Sequence, residues 1–160
     1  MKNSYKLNFT IIGAIIVVLA GILILKFAGN DSQNIVAVED TIIPKSQITN
    51  KVTFYPVKAG KTNMEVLAVK ASDGTIRTAF NTCQVCNGSP RAYYKQEGDV
   101  IVCQNCGNRF SMDMIEQQRG GCNPIPIYRE NKKEDPENIT IPKEFIENNK
   151  GLFTANWKTE

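Results

Sequence analysis

Histidine is absent from the 160-residue sequence, and its absence excludes several kinds of functional site at once. Without histidine the chain cannot build a Cys2His2 zinc site, a Rieske cluster or the C-x-x-C-H motif that attaches haem. It also cannot use the serine–histidine or cysteine–histidine pairs on which many hydrolases depend. Any metal site or reactive centre must therefore be built from other side chains.

Excess charge is also lacking in most of the chain. The first thirty residues contain Lys2, Lys6 and Lys26 and no acidic residue. Removing these three lysines from the 19 basic residues leaves 16, which equals the 16 acidic residues, so the net charge of +3 belongs to the N-terminal segment. Proteins that bind nucleic acid usually carry a basic face or stripe, so this balance argues against a nucleic-acid partner.

Cysteine is present in two C-x-x-C pairs, Cys83/Cys86 and Cys103/Cys106, separated by sixteen residues. Two residues between cysteines allow one tight turn, here called a knuckle, to direct both sulfurs at one ion. The gap is long enough for a hairpin that brings the two knuckles together. Gly107 follows the second knuckle directly, where a positive φ is often needed. The sequence therefore predicts a metal site with these four cysteines as its ligands.

The alternative for the two pairs is disulfide or dithiol chemistry. Oxidising compartments favour disulfides, so this alternative gains weight if the domain lies outside the cytoplasm. Structural disulfides usually link distant elements, however, and C-x-x-C spacing suits a shared ion or a reactive redox pair better. The metal interpretation is therefore preferred.

Cys122 is the fifth cysteine and has no C-x-x-C partner. It lies in the segment Gly120-Gly121-Cys122-Asn123-Pro124. A lone cysteine is often a small buried hydrophobic residue. The flanking glycines allow close backbone approach, so a metal ligand or a switch thiol is an equally open interpretation. Met112 and Met114 offer thioethers to copper but are interpreted as core residues of a short helix.

Residues 9–28 are apolar apart from Thr10 and Lys26. As a helix they would extend about 30 Å, which matches the hydrocarbon core of a bilayer. A cleaved signal peptide is the alternative, but its apolar stretch is typically shorter and ends at a small-x-small cleavage site. Ala28-Gly29-Asn30 matches such a site poorly. We therefore expect an uncleaved membrane anchor.

The charges around this segment predict its orientation. Lys2 and Lys6 precede the anchor, and Asn30-Asp31-Ser32-Gln33 follows it. Because positive residues favour the cytoplasmic side, the N-terminus is expected in the cytoplasm and residues 31–160 outside it, on a single-pass protein of the cell membrane.

The chain thus divides into an anchor (1–30), a tether (31–50) and one compact domain (51–160). The domain is predicted to be mainly β, a small α+β fold. Strands are expected at Val52–Tyr55, Glu65–Val69, Thr75–Phe80 and Asp99–Val102, with a short helix at Ser111–Gln118. The last two strands lead directly into Cys83 and Cys103.

The remaining segments carry weaker patterns. The charged run Arg129–Glu137 is interpreted as a solvated loop. Ile42–Ile48 and Ile141–Ile146 are similar, and each is interpreted as an extended piece that enters a turn at proline. Residues 139–160 are expected to add a strand and a helical turn, with Trp157 against the core.

Three segments of the chain resemble the FtrD-like family of membrane iron-sulfur-containing proteins, in that family's order. They are the run from Asp73 to Cys83, the run from Val102 to Phe110, and the Gly-Gly-Cys-Asn-Pro segment around Cys122. The resemblance spans most of residues 42–146.

This resemblance implies a membrane-associated, extracytoplasmic cysteine domain with a role in electron transfer or metal handling during iron uptake. A non-enzymatic redox or metal carrier is therefore the leading hypothesis. It implies partners such as an iron permease or other metal-uptake and redox membrane proteins. Its iron-sulfur cofactor would fall on Cys83, Cys86, Cys103 and Cys106, with Cys122 as an added motif cysteine. A [2Fe-2S] cluster, a single iron and zinc can all use four cysteines. A thiol–disulfide redox protein and a structural zinc module remain the alternative functions.

Overall fold

The computed structural model describes residues 39–159. The strands, in chain order, are β1 (Thr41–Pro44), β2 (Thr53–Ala59), β3 (Thr62–Lys70), β4 (Ile76–Cys83), β5 (Tyr94–Glu97), β6 (Val100–Cys103), β7 (Arg109–Ser111), β8 (Pro124–Pro126), β9 (Lys133–Glu134) and β10 (Asn138–Ile141). The described part of the chain has one α-helix, α1 (Lys143–Asn148). Short 3-10 helices cover Lys45–Gln47, Met112–Met114, Arg129–Asn131 and Lys150–Leu152. The predicted mainly β fold is confirmed.

The strands form three antiparallel sheets. β2, β3, β4 and β8 make a four-stranded sheet in that order, and β5, β6 and β7 make a three-stranded sheet. The third sheet has the order β1-β10-β9. β1 lies within the range that the sequence assigned to a tether, and Thr41 pairs with Ile141 of β10.

The central strand β3 is buried on both of its faces. Val66 and Ala68 belong to one hydrophobic cluster, which includes Trp157. Leu67 and Val69 belong to a second cluster, which includes three of the five cysteines. Because successive side chains of a strand point to opposite faces, the four-stranded sheet separates an apolar core from the cysteine-containing region.

Several predicted elements are confirmed in place. β2, β3, β4 and β6 overlap the four predicted strands, and β4 and β6 end at Cys83 and Cys103. β10 and α1 supply the expected C-terminal strand and helical turn. Trp157 is 5% exposed and packs against Phe153, as expected.

Two predictions were wrong. The expected helix at Ser111–Gln118 is a single 3-10 turn, Met112–Met114, because Ser111 ends β7 in an extended conformation and Glu116 adopts a positive φ of 65°. The expected solvated loop Arg129–Glu137 contains Lys132, whose side chain is buried. That lysine is an inward-facing ion-pair partner rather than a surface charge.

Within residues 39–159, none of the helices is long and apolar enough to cross a membrane. The predicted anchor at residues 1–30 lies outside the described residues.

Candidate metal centre

Strand β4 positions the first knuckle. The strand runs through the buried sheet and ends at Cys83, whose side chain is fully buried. The chain then turns, and the backbone N–H of Cys86 donates to the Cys83 sulfur at 3.3 Å. The backbone N–H of Ser89 donates to the Cys86 carbonyl at 3.0 Å. The first two sulfurs are therefore held by a rigid strand and a hydrogen-bonded turn.

Strand β6 positions the second knuckle in the same way. It ends at Cys103, and the backbone N–H of Gly107 closes the turn by donating to the Cys103 carbonyl at 2.8 Å. Gly107 has a φ of +75°, which confirms that this position requires the left-handed conformation. The backbone N–H of Cys103 donates to the Asn108 carbonyl at 2.9 Å.

The β5–β6 hairpin brings the two knuckles together. The backbone N–H of Cys83 donates to the Ala92 carbonyl at 3.3 Å, which ties the end of β4 to the start of the hairpin. The Ser89 hydroxyl donates to the side-chain oxygen of Asn105 at 2.7 Å, joining the two knuckle loops. The sulfurs of Cys86 and Cys103, one from each knuckle, lie 3.9 Å apart.

Cys122 reaches the same place from a third segment. Gly120 and Gly121 both have positive φ values, +97° and +59°, so the chain makes a turn that other residues would resist. Two residues after Cys122, Pro124 pairs with Cys83 at the start of β8. The hydroxyl of Tyr94 donates to the Cys122 carbonyl. The structure therefore brings the lone cysteine to the knuckles.

The five sulfurs form two overlapping triplets. In one triplet the sulfurs of Cys83, Cys86 and Cys122 all lie within 4.8 Å of one another. In the other triplet the sulfurs of Cys86, Cys103 and Cys106 also lie within 4.8 Å of one another. Cys86 belongs to both triplets. All five candidate cysteines from the sequence thus come together at one site.

The cluster is buried on one side and exposed on the other. Cys83, Cys86 and Cys103 are buried, and Cys122 is half-buried. Cys106 is exposed. Cys106 therefore lies on the solvent-facing side of the cluster and is the sulfur that an external molecule reaches first.

The buried thiols of Cys83 and Cys103 have pKa values that are shifted in opposite directions. A hydrogen bond from Cys103 lowers the pKa of Cys83 to about 4, and the N–H of Cys86 adds to this effect. The same contact with Cys83 raises the pKa of Cys103, as does its burial. Cys83 is therefore the thiolate and Cys103 the thiol near neutral pH. A thiolate is the form that binds metal.

The pKa values of the other three thiols are shifted by burial and by hydrogen bonds. Burial raises the pKa of Cys86, and it raises the pKa of Cys122 to about 12. Burial acts in the same direction on Cys106, but hydrogen bonds from the Asn108 backbone and from neighbouring thiols outweigh it and lower its pKa. Burial, followed by contact with Cys83, raises the pKa of Tyr94, so its hydroxyl stays protonated and can donate. Each knuckle therefore supplies one sulfur with a lowered pKa.

The donor set fits a thiolate-bound metal group. With metal–sulfur bonds of about 2.3 Å, two sulfurs on a tetrahedral ion lie roughly 3.8 Å apart. The 3.9 Å between Cys86 and Cys103 matches that spacing. Iron-sulfur clusters, single iron and zinc all accept such cysteine ligands. The residues present therefore fit the iron-sulfur group that the sequence resemblance implies, and they also fit a single ion.

Two residues of the site were not predicted as functional. Tyr94 was interpreted as packing over the hairpin; it is buried there, but its hydroxyl also holds the Cys122 segment. Asn105 joins the knuckle loops through Ser89. No pattern in the sequence pointed to this role of Asn105. Met112 is buried, as expected for a core residue, and belongs to the hydrophobic cluster that contains the cysteines.

A family model matches the part of the chain that contains the cysteine cluster. The model of a family described as membrane iron-sulfur containing protein, FtrD-like, matches residues 48–153, about two thirds of the chain. The chain belongs to this FtrD-like family. The matched region contains all five cysteines, and the family description agrees with the metal-binding donor set of the site. Comparisons with curated proteins and with solved structures find no match.

Proposed function

We propose that this FtrD-like protein is a membrane-anchored redox or metal-relay accessory of iron uptake, and that its cysteine cluster holds iron. The convergence of five cysteine sulfurs from three chain segments carries the proposal. Cys83, Cys86, Cys103 and Cys106 would hold the group, with Cys122 beside them. Bound there, an iron-sulfur cluster or a single iron would supply one-electron transfer.

The chain's own residues suit a carrier rather than a catalyst. The buried Cys83, Cys86 and Cys103 keep water away from one side of the site. The exposed Cys106 gives a partner close approach from the other side. Val85, between the first two cysteines, is 65% exposed and offers an apolar contact beside the site. A partner protein at the membrane surface, such as an iron permease or another redox protein, fits this arrangement.

Metal analysis tests the proposal directly. The full-length chain, isolated without oxygen from its native host, is expected to contain stoichiometric iron and to show a thiolate-to-iron absorbance that reduction changes. Replacing Cys103 with serine should lower the iron content and destabilise the fold together, because metal binding and folding are coupled. Zinc as the sole bound metal would instead identify a structural zinc module.

A thiol–disulfide redox protein is the main rival. The site argues against it because the Cys86–Cys103 contact crosses from one knuckle to the other, and all five sulfurs converge. A catalytic dithiol needs only its own C-x-x-C pair. Metal-free protein with two reducible disulfides, found in the same analysis, would favour the rival.

We further propose that residues 31–160 lie outside the cytoplasm, on the basis of the charge asymmetry around the N-terminal apolar segment. A reporter that works only outside the cytoplasm, fused after Glu160, should be active. A cytoplasmic fluorescent fusion at the same position should be dark, and bright fluorescence with no exported activity would contradict this topology.

A further inference from the structure

The two triplets contain more cysteine sulfurs than a single metal ion binds. A single tetrahedral ion binds at most four thiolates, yet the structure gathers five cysteine sulfurs. They are arranged as two sets of three that have only Cys86 in common. Each set has the size and spacing of three ligands on one ion. Cys86 is buried between the two sets, with its sulfur 3.9 Å from that of Cys103.

We infer that the site holds two thiophilic metal ions, bridged by the Cys86 thiolate. One ion would bind Cys83, Cys86 and Cys122, and the other would bind Cys86, Cys103 and Cys106. This inference rests on the proposed metal-binding function and goes further, because it gives every cysteine a ligand role and sets the metal count. Cys122 then is a primary ligand of the inner ion.

Charge favours this arrangement over one ion with a spare thiol. Four thiolates around one divalent ion leave a formal charge of about −2, whereas five around two divalent ions leave about −1. Burying less net charge costs less free energy. Three of the five cysteines are buried, so the difference acts on a largely desolvated site.

The arrangement also suits a relay. Three protein ligands leave a fourth position open on each ion, as in metal sites that exchange a ligand. The outer ion, on the side of the exposed Cys106, has its open position where a partner's ligand can reach it. The inner ion is shielded by Cys83 and by the Tyr94 hydroxyl, which holds the Cys122 segment. The outer ion is therefore the one that exchanges first.

Cobalt(II) titration counts the ions without requiring iron or sulfide. The full-length chain, reduced and metal-free, is titrated anaerobically with cobalt(II) chloride. Thiolate-to-cobalt absorbance reports binding, and native mass spectrometry counts the ions. Two cobalt ions per chain are expected. No binding would contradict the proposed metal function itself, whereas a single ion would overturn only the dinuclear inference.

Two double variants, each retaining three cysteines, make the sharper comparison. Cys83→Ser with Cys122→Ser leaves the outer triplet intact and should bind one cobalt ion. Cys106→Ser with Cys122→Ser damages both triplets and should bind cobalt at least tenfold more weakly. Equal affinity of the two variants would overturn the inference. The fluorescence of Trp157, the single tryptophan, compares their folding before metal is added.

Single variants complete the test. Cys122→Ser and Cys106→Ser should each retain one ion, while Cys86→Ser should weaken both. Met114→Leu, which changes a sulfur-containing side chain outside the two triplets, serves as the control and should retain two ions. A Cys86→Ser variant that binds one ion as tightly as Cys122→Ser would show that Cys86 is not shared.

Discussion

The ammonium group of Lys158 donates two hydrogen bonds of 2.8 Å to the buried carboxylate of Glu65. Glu65 lies on β3, and its carboxylate also accepts a 2.6 Å hydrogen bond from the side chain of Asn81. The ammonium group lies 5.6 Å from the centres of three aromatic rings, those of Phe54, Tyr93 and Trp157. The ion pair and the three cation–π contacts thus hold the C-terminal segment against the central sheet.

Replacing Lys158 with methionine should destabilise the domain by about 1–3 kcal/mol, because the Glu65 carboxylate stays buried without its charged partner. Urea unfolding followed by Trp157 fluorescence measures the change. The exposed Lys61 provides the matched control, and its replacement by methionine should change stability by less than about 0.5 kcal/mol. Adding Glu65→Gln to the Lys158 variant should recover part of the loss. A double variant less stable than the single one would contradict this account.

A second buried ion pair joins Lys132 to Glu116. The lysine side chain is 1% exposed, and its ammonium group also donates to the Thr78 hydroxyl at 2.9 Å. Lys132→Met should therefore cost about 3 kcal/mol, since removal of one partner leaves a buried charge. Thermal unfolding measures this loss. The neighbouring Lys133 is exposed, and Lys133→Met should be nearly neutral. Equal effects of the two variants would mean that the pair contributes little.

The positive φ of Gly107 leads to a third prediction. An added Cβ would meet nothing within 4 Å, so the cost of Gly107→Ala comes from its positive φ alone, about 1 kcal/mol. Because this residue closes the second knuckle, the variant should also weaken cobalt binding. Gly151→Ala is the matched control: its Cβ is equally unhindered, and Gly151 lacks a positive φ. It should be neutral or slightly stabilising. A Gly107→Ala variant that binds metal normally would show that the turn tolerates other residues.

The lowered pKa of Cys83 predicts a thiolate in the reduced, metal-free protein at pH 6. Thiolate absorbance near 240 nm should persist as the pH falls and disappear around pH 4. Cys103→Ser replaces the thiol that contributes most to the shift, so it should reduce the absorbance at pH 6. Arg91, exposed in the turn before β5, provides the control variant Arg91→Gln. Unchanged absorbance in Cys103→Ser would contradict the assignment.

The lowered pKa of Cys83 also determines how the stability of the metal-free protein changes with pH. The pKa of Cys83 is lower in the folded state than its ordinary value of 9.0, so the folded state favours the deprotonated form. Its contribution to stability is complete above about pH 9 and is lost as the pH falls through about 4. Metal-free protein should therefore unfold more easily in urea at pH 4 than at pH 7, and Cys103→Ser should reduce that difference.

Strand positions were predictable because the pattern near each was local. Val66 to Val69 and Thr78 to Phe80 are dense in residues that favour strands, and the turn at Asp73-Gly74 lies between them. The positive φ of Gly107 followed from its place after a knuckle. Those features depend on near neighbours in the sequence. They can therefore be predicted without knowledge of the tertiary fold.

The features that were predicted wrongly or left open depend on contacts between residues far apart in the sequence. The charge of Lys132 resembled a surface charge, but its side chain is buried against partners distant in sequence, Glu116 and Thr78. The interpretation of Cys122 stayed open for the same reason, because its approach to Cys83 depends on the pairing of β8 with β4. The similarity of the segments at Ile42 and Ile141 did not by itself predict that β1 and β10 would pair.

The pairing of Pro124 with Cys83 also sets an order of assembly. Both knuckles and the β5–β6 hairpin are complete by residue 107, but Cys122 reaches Cys83 only once β8 has joined the edge of β4. A nascent or truncated chain that ends before β8 therefore lacks the strand pairing that brings Cys122 to Cys83. Under the proposed two-ion arrangement, such incomplete products would bind less metal and would be more open to proteolysis than the finished chain.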